Sequence, residues 1–100
     1  MKGIVFHSEA EAEFDDAIAY YEECLAGLGL DFKTRVESAV RQMCEHPERF
    51  AFLRKSDFRA ARLKRFPYSV IYLEQPDMVW VAAIAHSRRH PDYWKKRRLT

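Results

Sequence analysis

The chain has 100 residues, with 48% hydrophobic and 32% charged side chains, a composition that predicts one globular domain over residues 1–100 and excludes a disordered chain. No apolar run approaches the roughly 18 residues that span a membrane, and no secretory signal precedes the acidic residues that begin at Glu9, so we expect a cytoplasmic protein without a membrane partner. Residues 1–50 hold 5 Lys/Arg against 11 Asp/Glu, a net charge of −6. Residues 51–100 hold 12 Lys/Arg against 4 Asp/Glu, a net charge of +8. This difference indicates that the C-terminal half binds a polyanion or an acidic protein.

The N-terminal half begins with a strand and a helix. Residues 3–7 are β-branched or aromatic in the middle and predict a short strand. Ser8 and Glu11 have the spacing of a capping box, in which each side chain accepts the backbone N–H of the other residue, and therefore mark the start of a helix. Apolar residues follow at helical spacing, namely Ala10, Phe14, Ala17, Ile18, Tyr21 and Leu25. Gly27 and Gly29 predict the end of this helix.

A second helix is predicted from about Asp31. Its apolar stripe consists of Phe32, Val36, Ala39, Val40 and Met43. Pro47 ends it, because the residue before a proline is pushed out of the helical region. The glycine-containing connection predicts an antiparallel helical hairpin, and we interpret both apolar stripes as core rather than as a binding groove.

The C-terminal half has the pattern of a sheet. Residues 48–57 lack periodicity and predict a loop, whereas residues 58–66, 68–74 and 79–85 predict three strands. The last of these strands is apolar on both faces, so we place it centrally. A short helix is expected after Pro91, followed by a solvated basic tail. The element order βααβββ predicts an α+β fold, in which the helical hairpin packs on one face of a small, mostly antiparallel sheet and a short C-terminal helix follows.

Alternation along the first of these three strands sorts its cations. Ala61 and Leu63 share the face that meets the helices, whereas Arg62 and Lys64 share the opposite, open face. Two cations at this spacing would line up with backbone phosphates. The alternative is that they only protect an edge strand against aggregation.

A second polar cluster follows the apolar strand and contains His86, Arg88, Arg89 and Tyr93. Arginine forks suit phosphate oxygens, and a histidine or tyrosine nearby could move a proton, so these residue types could cleave an RNA phosphodiester without a metal ion. One alternative is that His86 is a structural residue, with its hydrogen bonds made locally at the end of a strand. Another is that Tyr93 caps the core or stacks on an unpaired base. The residues alone therefore leave open whether the protein is an enzyme, namely a metal-independent endoribonuclease.

Neither the histidines nor the cysteines predict a bound ion. The four histidines are scattered without ligand spacing, and the three glycines form no phosphate loop, so we expect no metal and no cofactor. Cys24 and Cys44 lie in predicted helices without CxxC spacing, and we expect both to be buried, reduced thiols.

Two stretches resemble the RelE and ParE toxin superfamily: residues 63–72, Leu-Lys-Arg-Phe-Pro-Tyr-Ser-Val-Ile-Tyr, and residues 81–89, Val-Ala-Ala-Ile-Ala-His-Ser-Arg-Arg. The element order and the acidic first helix are also similar, so the resemblance covers nearly the whole chain. It implies the toxin, or plasmid stabilisation protein, of a type II toxin–antitoxin pair, whose cognate antitoxin wraps the helices and the sheet with a disordered segment that folds on binding. We expect that segment to be acidic, because the C-terminal half of this chain is basic.

The resemblance also implies site residues and two possible targets. Members of the RelE branch cleave mRNA in the ribosomal A site, whereas members of the ParE branch poison DNA gyrase without a known hydrolytic step. The positions that match cations or a late tyrosine of the RelE branch are Arg62, Lys64, Arg88 or Arg89, and Tyr93.

One position departs from the RelE branch, because Ser69 stands where that branch places an arginine at the start of the third strand. A missing cation on the phosphate could remove a large share of the transition-state stabilisation. We therefore favour a growth-arresting, ParE-like toxin that poisons gyrase, with a RelE-like ribosome-dependent endoribonuclease as the alternative. A nontoxic nucleic-acid-binding module with the same basic face is a third hypothesis.

Overall fold

The computed structural model describes residues 2–98, which form four strands, two long helices and one short 3₁₀ turn. Strand β1 (Gly3–Phe6) leads into helix α1 (Ser8–Cys24), and helix α2 (Leu28–Glu45) follows after a tight turn. The two helices pack against each other as the predicted hairpin. Within residues 2–98, neither helix combines the length and the apolar character that a membrane crossing requires.

The start of α1 is capped by His7 and not by the predicted capping box. The Nδ1 atom of His7 accepts the backbone N–H of Glu9 at 3.0 Å. Ser8 is already the first helical residue, so its side chain stands one position too late to act as the cap. The prediction of a box formed by Ser8 and Glu11 is therefore wrong.

The turn between the helices depends on two glycines. Gly27 has a φ of 89°, a left-handed conformation that allows α2 to begin directly at Leu28, earlier than predicted. Gly29 lies inside α2, where a Cβ atom would stand 2.6 Å from the backbone oxygen of Ile18. The Glu22 carboxylate accepts both glycine N–H groups, at 2.9 and 3.0 Å. The second glycine thus permits close helix packing and does not end a helix.

The C-terminal half forms the sheet that the sequence predicts. After a 3₁₀ turn (Pro47–Arg49) come strands β2 (Arg59–Arg62), β3 (Tyr68–Glu74) and β4 (Met78–His86). The strand order is β1-β4-β3-β2; β1 runs parallel to β4, and the other two pairs are antiparallel. The mostly antiparallel α+β fold and the central position of the apolar strand are therefore confirmed.

Strand β2 is shorter than predicted at both ends. It stops at Arg62, because the chain turns towards β3 with Arg65 in a left-handed conformation (φ of 73°), and the Leu63 N–H closes this turn by donating to the backbone oxygen of Tyr68 at 3.0 Å. The alternation of buried and exposed side chains continues through Leu63 and Lys64. Lys64 nevertheless belongs to the turn between β2 and β3, and its predicted place on a strand is wrong.

Apolar side chains cover both faces of the sheet. The core between the sheet and the hairpin is built mainly from Phe32, Val36, Met43, Val70, Tyr72, Val79, Val81 and Ile84. The opposite face carries a second cluster of Ile71, Trp80, Ala82, Ala83 and Trp94, with Leu53 and Phe58 packed against it. The prediction of an open outer face is therefore wrong: a central strand that is apolar on both sides needs cover on both sides.

The predicted C-terminal helix is replaced by turns over residues 91–96. Their backbone hydrogen bonds join residues three apart, namely Tyr93 to His90, Lys95 to Asp92 and Arg97 to Trp94. Such a short segment cannot nucleate a stable helix by itself. The segment is instead held by side chains that pack on the outer face of the sheet, and Trp94, which is only 2% exposed, is one of them.

The two cysteines differ in exposure. Cys44 is buried, and burial raises the pKa of its thiol. Cys24, the last residue of α1, is exposed. The prediction of two buried thiols is therefore wrong for Cys24, because this residue ends α1, beyond the part of the helix that packs on the core.

Candidate functional site

The first group of predicted site residues lies around the end of β2. Arg62 pairs with Ser69 on β3 and lines a surface depression together with Arg65, Ser69 and Ser87. Lys64 lines a second groove, between α2 and β2, which also includes Arg62 and Arg65. We call Arg62, Lys64 and Arg65 the β2 cation group.

The β2 cation group is exposed and weakly paired. Within residues 2–98, its one salt bridge joins Arg65 to Asp31 at 4.0 Å, and both side chains are 55% exposed. An exposed pair at that distance contributes little free energy. These cations are therefore available to an anionic ligand or an acidic protein segment.

His86 holds the turn that follows β4. Its ring packs edge-on against the Tyr68 ring, with 5.0 Å between centroids, and its Nδ1 atom accepts the Arg88 backbone N–H at 3.0 Å. One ring nitrogen is thus occupied by a local structural bond. This contact begins the C-terminal segment, by which we mean residues 87–98.

Arg89 and Tyr93 form a stacked pair in the C-terminal segment. The Arg89 guanidinium lies 3.6 Å from the centroid of the Tyr93 ring, and its Nη1 atom is 3.2 Å from Oε2 of Glu13. The Tyr93 hydroxyl is buried without a hydrogen-bond partner in the described part of the chain. Burial and the nearby Glu13 carboxylate raise the pKa of this hydroxyl, so Tyr93 is unsuited to release a proton near neutral pH.

Glu13 and Arg97 form a largely buried ion pair that the sequence analysis did not predict. Nη1 and Nη2 of Arg97 donate to Oε1 and Oε2 of Glu13 at 3.0 and 2.9 Å, and the two side chains are only 8% and 14% exposed. Arg97 also donates to the backbone oxygen of Ala82 at 2.8 Å. The prediction of a wholly solvated basic tail is therefore wrong at Arg97. One signal was present, because Glu13 stands three residues after the buried Ala10 and four before the buried Ala17.

The arrangement favours binding over proton transfer. Ser69 and Ser87 line both the depression at Arg62 and the neighbouring one that includes His86 and Arg89, so cations from distant parts of the chain border adjacent surface. Arg88, which follows Ser87 in the chain, is exposed. The tyrosine that could act as acid or base is withdrawn from solvent, and one arginine is already paired with a carboxylate.

The sequence and the fold both match known toxin–antitoxin proteins. Residues 4–91 match the family described as the ParE toxin of type II toxin–antitoxin systems, parDE. The structure is similar to a chain of a solved structure titled "Chromosomal ParDE TA system from P. aeruginosa", with a TM-score of 0.74, 16% sequence identity, and coverage of 86% of this chain and 96% of that chain. No curated protein matches the sequence significantly.

Proposed function

Because the chain belongs to the family of ParE toxins of type II toxin–antitoxin systems, we propose that it arrests bacterial growth by binding DNA gyrase in the cytoplasm and that a cognate antitoxin neutralises it. The observation that carries the choice of a binding toxin over a nuclease is the state of Tyr93. Its hydroxyl is buried and its pKa is raised, which leaves His86 as the one accessible member of the two predicted proton carriers, whereas RNA cleavage needs both a base and an acid. Ser69 also supplies no positive charge in the depression beside Arg62.

The target-binding residues in this proposal are Arg62, Lys64, Arg88 and Arg89. Each guanidinium can donate two charge-assisted hydrogen bonds to one carboxylate or phosphate group. All four residues are exposed, so their removal should change binding far more than folding.

The proposed antitoxin contact is the groove between α2 and β2. The groove is lined both by apolar side chains, which include Ala39, Phe50 and Leu63, and by the cations of the β2 group. An acidic amphipathic segment that orders on contact would match this lining. The affinity should fall as salt rises, because part of the attraction is between exposed charges.

Induced expression in a bacterial host tests the function directly. We expect growth to stop, and co-expression of a short acidic reading frame adjoining this gene to restore it. The purified protein should inhibit gyrase supercoiling and leave mRNA intact in a coupled translation reaction. Codon-phased cuts in ribosome-bound mRNA would instead establish the ribonuclease, and normal growth with confirmed soluble protein would favour a nontoxic nucleic-acid-binding module.

The proposed site is tested by the variant Arg88→Ala/Arg89→Ala. Growth arrest should be lost while the folded protein persists. The matched control is Lys95→Ala/Lys96→Ala, which removes two exposed cations from the same segment and should remain toxic. Full toxicity of the arginine variant, or loss of toxicity only through unfolding, would show that the site lies elsewhere.

A further inference from the structure

Strand β4 extends well beyond its parallel neighbour. β1 ends at Phe6, opposite Val81, and the His7 N–H makes the last bond of this ladder, to the Val81 oxygen at 2.9 Å. β4 continues to His86. Among residues 2–98, no strand lies beside the β4 backbone beyond Val81 on this side, and its polar groups need other partners.

Side chains take the place of the missing strand. The Ile84 N–H donates to Oε1 of Glu13 at 3.0 Å, and Nη1 of Arg97 donates to the Ala82 oxygen at 2.8 Å. The register of β4 against β3 shifts at this point, because Ile71 pairs with Ala83 and the next residue of β3 pairs with Val81. Ala82 is thus the extra residue of a bulge.

The same carboxylate contacts the C-terminal segment at two places. Arg97, near the end of the segment, makes the bidentate ion pair, and Arg89, near its start, approaches Oε2 at 3.2 Å. The pKa of Arg97 is raised: burial lowers it, but the hydrogen bonds and the negative charge of Glu13 outweigh that effect. Arg97 therefore stays charged in its buried position.

We propose that Glu13 is a positioning residue, which holds the C-terminal segment against the edge of β4 and so fixes Arg88 and Arg89 where they meet the target. The effect on target binding rests on the proposed function, whereas the attachment of residues 87–98 to the edge of β4 does not depend on it. Glu13 contributes no group to the binding surface, because it is nearly buried and both of its oxygens are engaged.

Two substitutions of Glu13 separate its roles. Glu13→Ala removes both the charge and the acceptor for the Ile84 N–H, whereas Glu13→Gln keeps an amide oxygen for that N–H and removes the charge. Asp16→Asn is the matched control, because it neutralises an exposed acid on the same helix. A role in positioning predicts local release of residues 87–98 in a protein that remains folded.

The primary measurement is the rate of trypsin cleavage of the native protein after Lys95 and Lys96, with the products detected by mass spectrometry. Hydrogen exchange at the Ile84 amide is measured beside it. We expect cleavage to be roughly tenfold faster in both Glu13 variants than in the wild type and in Asp16→Asn. Ile84 exchange should rise strongly in Glu13→Ala and much less in Glu13→Gln. Growth arrest should weaken in both Glu13 variants, at temperatures where circular dichroism shows them folded.

Unchanged cleavage in a folded Glu13 variant would overturn the inference, and so would a released segment with undiminished growth arrest. Should Glu13→Ala fail to fold, Glu13→Gln decides by the same two measurements. A wild-type protein without toxicity would contradict the proposed function alone, because cleavage and exchange would still show whether Glu13 holds the segment.

Discussion

The β2 cation group and the arginines of the C-terminal segment contain similar side chains in opposite circumstances. Arg62 and Lys64 are exposed and border grooves. Arg97 is 8% exposed and bound to both oxygens of Glu13, and Arg89, at 53% exposed, contacts the same carboxylate. Arg62 and Lys64 are thus available for a partner and Arg97 holds the fold together, whereas Arg89 contacts Glu13 but remains exposed enough to meet a target.

The difference follows from one acid and not from the cations themselves. Helix α1 brings a single nearly buried carboxylate to the unpaired edge of β4, where it also accepts the Ile84 N–H. Around the end of β2 the one acid in contact, within the described part of the chain, is the half-exposed Asp31, at 4.0 Å from Arg65. A net charge of +8 over residues 51–100 therefore overstates the charge that a partner meets.

The largest effect that sharpens this comparison is expected for Arg97→Ala. The substitution leaves Glu13 without its buried counterion and the Ala82 oxygen without its donor. We expect a loss of about 3 kcal/mol in the free energy of unfolding, which corresponds to a decrease of roughly 12–24 °C in Tm for a domain of this size. Thermal unfolding followed by circular dichroism measures it. The neighbouring Lys96→Ala removes an exposed cation and should change stability by less than about 0.5 kcal/mol; equal losses in the two variants would contradict the distinction.

A smaller effect, on binding, is expected for Arg62→Ala/Lys64→Ala. Removal of two exposed cations should leave Tm unchanged but weaken antitoxin binding by about 2 kcal/mol, or roughly thirtyfold in Kd. The dependence of Kd on salt should also become shallower. Isothermal titration at two salt concentrations measures both. Lys33→Ala/Arg41→Ala removes the same charge from the exposed surface of α2, and an equal loss in this control would show that only net charge matters.

The spacing of apolar residues predicted most of the fold, because it reflects which side of each helix or strand is buried. The spacing of Phe32, Val36 and Met43 marks the face of α2 that the core covers, and all three are 0% exposed. The apolar sequence of β4 predicted its central position, since such a strand needs packing on both sides. The outer face was wrongly predicted to be open, because local spacing does not show that residues of the C-terminal segment, Trp94 above all, supply part of its cover.

The candidate site was predicted in composition but not in its pairing. Glu13 and Arg97 are 84 positions apart in the chain, so no local spacing joins them, and the bulge at Ala82 that gives them backbone partners depends on the register between β3 and β4. The burial of the Tyr93 hydroxyl likewise depends on contacts between residues that are far apart in the chain. The sequence supplied candidate residues, and tertiary contacts decided which of them are free.

The smallest effect, and the most sensitive test of the comparison, is expected for Arg89→Ala. Arg89 shares the Glu13 carboxylate with Arg97, but it is 53% exposed, so solvent screens much of the attraction. Its stacking on Tyr93, at 3.6 Å, adds a contribution of similar size. We therefore expect a loss of about 0.5–1 kcal/mol in the free energy of unfolding, measured by urea denaturation, and no measurable loss for Arg88→Ala. If Arg89→Ala were as destabilising as Arg97→Ala, both arginines would belong to the folding core, and the loss of toxicity expected for Arg88→Ala/Arg89→Ala could no longer be assigned to target binding.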